Sequence, residues 1–161
     1  MFAEGSQGYF DTYLLLANDN ATNANVVIRF LLEGGGIVNH PIVVQAHKRL
    51  TIYAGDIPEL ANVSFGIDVA SDLPITAERA MYFPHGSPRI FEGGHEAAGV
   101  NSTSTRWYLA EGATGPFFEC FILLSNPGAT MAHATLAYLL ADGTTIPQLS
   151  LIHISEPTRP Y

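Results

Sequence analysis

Lysine occurs once in the 161 residues, at Lys48, and only 14% of the chain is charged, with a formal net charge of −8. A surface that grips nucleic acid or an anionic membrane needs a basic stripe, so no nucleic-acid partner is expected. Long apolar runs are missing as well. The longest are strand-sized, well short of a membrane span, and no membrane insertion is expected in this segment. Cysteine also occurs once, at Cys120. That excludes a disulfide framework within one chain, and the residue reads as a small buried side chain. Catalytic signatures are absent too: there is no Gly-x-Ser-x-Gly, no Gly-x-x-x-x-Gly-Lys, no His-Glu-x-x-His and no Asp-x-Asp calcium loop.

What is present is a core-forming composition, 47% hydrophobic, and an internal repeat. Phe2-Ala3-Glu4-Gly5-Ser6-Gln7-Gly8 matches Leu109-Ala110-Glu111-Gly112-Ala113-Thr114-Gly115. After one extra residue, Pro116, the run Tyr9 to Leu16 matches Phe117 to Leu124. Asn18-Asp19-Asn20-Ala21-Thr22 then matches Asn126-Pro127-Gly128-Ala129-Thr130, and Phe30 to Gly35 matches Tyr138 to Gly143. The period is about 108 residues, the size of a domain. The chain therefore reads as a complete repeat, 1–100, a polar linker, 101–105, and the start of a truncated second repeat, 106–148. Residues 149–161 break the pattern.

Thr12 to Ala17 is a short apolar run between Asp11 and Asn18-Asp19-Asn20, the signature of a buried strand. Ala24, Val26, Ile28, Phe30 and Leu32 share one face of the next strand, and Ala132, Ala134, Leu136, Tyr138 and Leu140 repeat that face in phase. Glu33 to Gly36 and Ala141 to Thr144 read as hairpin turns. Ile37 to Val44 is the return strand, and Pro41 in it hints at an edge or a bulge. Arg49 to Tyr53, Asn62 to Ala70 and Ile75 to Phe83 are further strands. Pro84 to Gly94 reads as a loop. No helix is expected, and many short strands between turn signals predict an all-β antiparallel β-sandwich.

Four motifs together resemble a family of repetitive bacterial cell-surface proteins. They are Trp107-Tyr108-Leu109-Ala110-Glu111-Gly112, Tyr13-Leu14-Leu15-Leu16-Ala17-Asn18, Ala77-Glu78-Arg79-Ala80-Met81-Tyr82 and Gly93-Gly94-His95. The resemblance covers about residues 1–146. It implies an immunoglobulin-like repeat that is extracellular or on the cell surface, whose partners are neighbouring repeats of the same chain. It carries over no catalytic residue. Asp19 departs from the family's proline, which Pro127 keeps. The run Leu149 to Arg159 instead resembles translated sequencing-adaptor DNA joined to a truncated gene, and so reads as a non-native tail.

Candidate sites are few. Arg79 is in phase with Ile75, Ala77, Met81 and Phe83, so an inward guanidinium needs a carboxylate. Because Arg79 and Glu4 both fall in motifs of the resembled family, the resemblance makes Glu4 the expected partner in a structural ion pair, with Glu92, Glu96 and Glu111 as alternatives. His95-Glu96 offers half a metal site or a base with its carboxylate, against the simpler reading of loop packing. His40, His47, His85 and His133 are scattered, so no metal or other cofactor is expected. Tyr9, Phe10, Trp107, Tyr108, Phe117 and Phe118 gather around the repeated opening. They read as core or junction packing; coplanar exposed rings would instead favour a sugar platform. Trp107, Tyr108, His95 and Glu96 are thus the ligand-binding candidates. The expectation is a non-catalytic structural repeat, with a carbohydrate- or protein-binding module as the alternative.

Overall fold

The computed structural model describes residues 1–85 and 90–152. The described residues form ten strands: β1 (Phe2–Ser6), β2 (Asp11–Asn18), β3 (Ala24–Leu32), β4 (Ile37–Val44), β5 (Lys48–Tyr53), β6 (Ser64–Ser71), β7 (Thr76–His85), β8 (Ile90–Ala98), β9 (Ala132–Leu139) and β10 (Thr145–Ile152). The described helical turns are two short 3₁₀ segments, Ala54–Asp56 and Pro58–Leu60.

The first eight strands make two antiparallel sheets, ordered β1-β6-β3-β4 and β5-β2-β7-β8. They pack as a sandwich, with β4 against β5 on one side and β1 against β2 and β7 on the other. In an immunoglobulin constant domain the first two strands are neighbours in one sheet, whereas here β1 and β2 belong to opposite sheets. Period-2 patterning explains the core. Val26, Ile28 and Phe30 of β3 face Leu14 and Leu16 of β2 across the layer, and all are buried. Phe30 meets Phe65 of β6 edge-to-face at 5.3 Å, a favoured aromatic geometry. The expected edge position of Pro41 holds: β4 ends its sheet. Pro41 lies opposite Val27, at a position whose N–H would point away from β3, so no ladder bond is lost.

Several expectations are corrected. The segment read as a loop from Pro84 to Gly94 is largely strand, since β7 runs on to His85 and β8 starts at Ile90; residues 86–89 lie outside the described ones. In the second copy, Phe117 to Leu124 forms no strand. Its counterpart β2 lies between β5 and β7, and neither flanking strand has a counterpart among the described residues. Cys120 is exposed, not buried, for the same reason.

The hairpin does repeat. β9 and β10 lie 108 positions after β3 and β4, and Ala132↔Ile152 through Leu139↔Thr145 reproduce Ala24↔Val44 through Leu31↔Ile37. The turn bonds repeat as well. Leu32 N–H donates to Gly36 O and Gly35 N–H to Leu32 O, at 3.1 and 3.0 Å; Leu140 donates to Thr144 and Gly143 to Leu140, at 2.9 and 3.0 Å. The final strand includes Leu149–Ile152, so the start of the expected tail is paired; residues 153–161 lie outside the described ones. Tyr138 and Leu140, expected inward, are exposed, since no second sheet among the described residues covers them. Within the second copy, Ile122 to Pro127 is half-buried. Ser125 Oγ comes within 2.6 Å of where a Cβ on Gly66 would stand, so this run passes close over β6.

Candidate functional site

Arg79 is the one buried cation of the sandwich among the described residues, 3% exposed. Its place on β7, opposite Leu14 of β2 and Ala97 of β8, turns it inward. Nη1 lies 3.1 Å from both the backbone oxygen and Oε2 of Glu4, and 3.0 Å from the Met81 sulfur. The expected pair with Glu4 is therefore formed. It ties β1, at the edge of one sheet, to the centre of the other. A charge-assisted bond of this kind is about twice as strong as a neutral one.

His95 joins them. Nη2 of Arg79 is 3.1 and 3.0 Å from its Nδ1 and Nε2, and Nε2 is 3.6 Å from Glu4 Oε2. A neutral imidazole offers one acceptor nitrogen to this guanidinium. His95 is a strand residue paired with Met81, not a loop residue. Neighbouring strand residues face opposite sides, so Glu96, opposite Ala80, lies on the outer face of the sheet. The two therefore cannot act as one site. Arg79 Nε has no hydrogen-bond partner. Glu92, Glu96 and Glu111 make no described bond to Arg79. Among the described residues no three His, Cys, Asp or Glu side chains gather as metal ligands would.

The second arrangement was not visible in the sequence. A row of rings crosses the outer face of the β5-β2-β7-β8 sheet. Tyr53 stacks on Tyr13 at 4.9 Å with 24° between planes, Tyr13 meets Tyr82 at 5.8 Å and 69°, and Tyr82 meets Phe91 at 4.8 Å and 32°. The Tyr53 hydroxyl donates to Asp11 Oδ1 at 2.5 Å. Ala80 and Asp11, on the same outer face, are buried beneath this row. Gly94 lies opposite Tyr82 and leaves space for its ring; a Cβ there would also stand 2.6 Å from Met81 O. The planes differ by too much for a flat platform, and the stacked faces are spent on each other.

Of the aromatics of the repeated opening, half-buried Phe10 packs as expected, edge-to-face on Phe83 at 6.4 Å, and the others do not. Tyr9, Trp107, Tyr108, Phe117 and Phe118 are all exposed. Trp107 Nε1 donates to Ser104 O at 3.0 Å, and neither it nor Tyr108 is within ring-contact distance of another described aromatic. Without strands to cover them, residues 106–121 leave their rings in solvent.

No family model and no curated protein matches the chain. Among solved structures it is similar to the crystal structure of Thermotoga maritima 1070, with a TM-score of 0.54 and 17% identity, covering 62% of this chain and 89% of that one. At that identity the likeness is one of fold.

Proposed function

We propose that the chain is a non-catalytic structural repeat of a bacterial cell-surface or extracellular protein, a spacer built of β-sandwich units in tandem. One observation carries this reading: the features the two copies share serve the backbone. The hairpin register, the turn bonds and the Asn18 and Asn126 turns recur at the same offset. Glu4, in the repeated opening, is spent on holding Arg79. The resemblance of the four motifs to repetitive surface proteins supports the same reading, with neighbouring repeats as the partners.

The test is a head-to-tail protein of two, three and four copies of residues 1–108. A spacer predicts small-angle scattering whose maximum dimension grows by a constant step per copy, with each unit melting at a similar temperature. Copies that collapse into one compact particle would sink the idea. The ring row on the outer sheet favours, as a second reading, a module that binds another protein. Its rings offer an apolar strip, not open faces for sugars. A glycan array with strong, Tyr82-dependent binding would reverse that preference.

A further inference from the structure

In the first copy β3 has two partners, β4 on one side and β6 on the other. In the second copy β9 repeats β3 in register but pairs only with β10 among the described strands. Backbone direction shows which groups this leaves open. Leu32 and Leu140 N–H point into the turn and so toward β4 and β10. Residues alternate in a strand, so the odd positions point the other way. The first copy agrees: Asn25 O accepts from Asp72 N–H, and Glu33 N–H donates to Ser64 O, both on the β6 side. In β9 the equivalent open groups belong to His133, Thr135, Ala137 and Leu139.

We propose that this open edge of β9 is a docking site for a strand of the β6 type, exchanged from another copy of the repeat whose β6 leaves its place between β1 and β3. The internal copy specifies the occupant. Transferring the β3–β6 register onto β9 sets Leu136 opposite Val69, Tyr138 opposite Ile67 and Leu140 opposite Phe65. All three pairs are apolar and lie on one face, as cross-strand pairing requires. Tyr138 and Leu140 are exposed in the present fold and gain cover. Backbone bonds supply affinity and the alternating side chains supply register, as in strand addition generally. One pair differs. Asp68 binds Arg29 in the first copy, but the equivalent of Arg29 is Ala137. The inference rests on the repeat geometry and not on the spacer role.

The test adds a synthetic peptide of residues 62–71 to the full chain and follows amide hydrogen exchange. The expected result is slowing by about tenfold or more at His133, Thr135, Ala137 and Leu139, with a 1:1 complex in calorimetry. Peptide I67D is expected to lose binding, whereas peptide D68A keeps it, because Ala137 offers Asp68 no cation. Chain A137P removes one open-edge N–H without touching the β9–β10 bonds; it is expected to keep the hairpin and lose the peptide. Unchanged exchange with wild-type peptide, equal binding by A137P, or self-association through β9 that excludes the peptide would each overturn the proposal. Circular dichroism and the Tyr138–Gln148 contact, 2.8 Å in the hairpin, report whether A137P is still folded.

Discussion

Arg79 on β7 and Glu4 on β1 are bonded across the two sheets, Nη1 to Oε2 at 3.1 Å, with the arginine side chain 4% exposed and the glutamate 26%. Glu4→Gln keeps the shape and removes the charge, and is expected to cost about 1.5–3 kcal/mol, the range for a hydrogen bond to a charged group. Arg79→Met removes the buried cation together with its unpartnered Nε, and long apolar side chains replace buried ions well. In a double-mutant cycle by urea unfolding, the pair should cost less than the sum of the singles, by about 0.5–3 kcal/mol. Simple additivity would show that the pair does not hold the sheets together.

Two neighbouring glycines of β8 are expected to differ in their tolerance. A Cβ on Gly93 would stand 2.6 Å from Phe83 Cζ, the far end of a side chain that can turn aside. A Cβ on Gly94 would meet the Tyr82 ring and also Met81 O, 2.6 Å away on the partner strand. Gly94→Ala should therefore lose about 1–3 kcal/mol, the usual range for overpacking, and Gly93→Ala less. Equal melting temperatures for the two variants would count against the close approach at Gly94.

These glycines also show where the sequence misled. Gly93-Gly94, close to Pro84, has the composition of a loop, yet β8 forms because Tyr82 and Phe83 lie opposite them and cover the backbone that the glycines leave bare. That information lies on another strand. Once β8 is missed, His95 cannot be placed beside Arg79. The inward Arg79 was legible because its evidence is local: it shares its phase with Ile75, Ala77 and Met81, whereas Glu4, 75 positions away, was singled out only by the resemblance, in whose motifs both residues fall. The row Tyr53, Tyr13, Tyr82 and Phe91 needs the register of four strands at once, and its only sequence signal is single tyrosines at alternate positions of apolar strands. The second copy failed differently. Its β2-like segment matches β2 well in pattern, but a buried strand needs partners on both sides.

Asp72 supplies a test in acid. Asn25 donates to it from the side chain, Nδ2 to Oδ2 at 2.6 Å, and from the backbone, N to Oδ1 at 2.8 Å. These bonds, the side-chain one first, hold its carboxyl below the ordinary carboxylate range. A carboxyl depressed on folding stabilises the fold above its unfolded pKa, about 3.9, and that contribution is lost as pH falls through the lower folded value. Carbon-detected titration of the Asp72 carboxyl should place its midpoint below 3.9, and Asn25→Ala should raise it. An unmoved midpoint in that variant would show that the bonds do not set it. Asp142, held low by Thr144, should not respond to Asn25→Ala.

Asn18 and Asn126 occupy the same repeat position in unlike surroundings, and so separate local turn chemistry from tertiary clamping. Both donate to the carbonyl four residues on, Thr22 at 2.9 Å and Thr130 at 2.7 Å. Both accept from the backbone N–H two residues on, at 3.0 Å in each case. Only Asn18 is buried and also reaches Val44 O at 2.9 Å and Gln45 O at 3.3 Å, fastening the β2 end to the end of β4. Asn18→Ala strips the buried Val44 carbonyl of its donor and should cost about 1–3 kcal/mol, the range for leaving a buried group unsatisfied. Asn126→Ala exposes its former partners to water and should stay within about 0.5 kcal/mol, as surface changes do. Asn18→Asp sharpens the comparison, because it keeps the oxygen that accepts from Asn20 N–H but loses every donated bond, the local one to Thr22 as well as those to Val44 and Gln45. If Asn18→Asp melts near wild type, the turn alone matters and the clamp on β4 is dispensable. If it falls with Asn18→Ala while Asn126→Asp, which loses only the local Thr130 bond, does not, the clamp to β4 is what this position contributes.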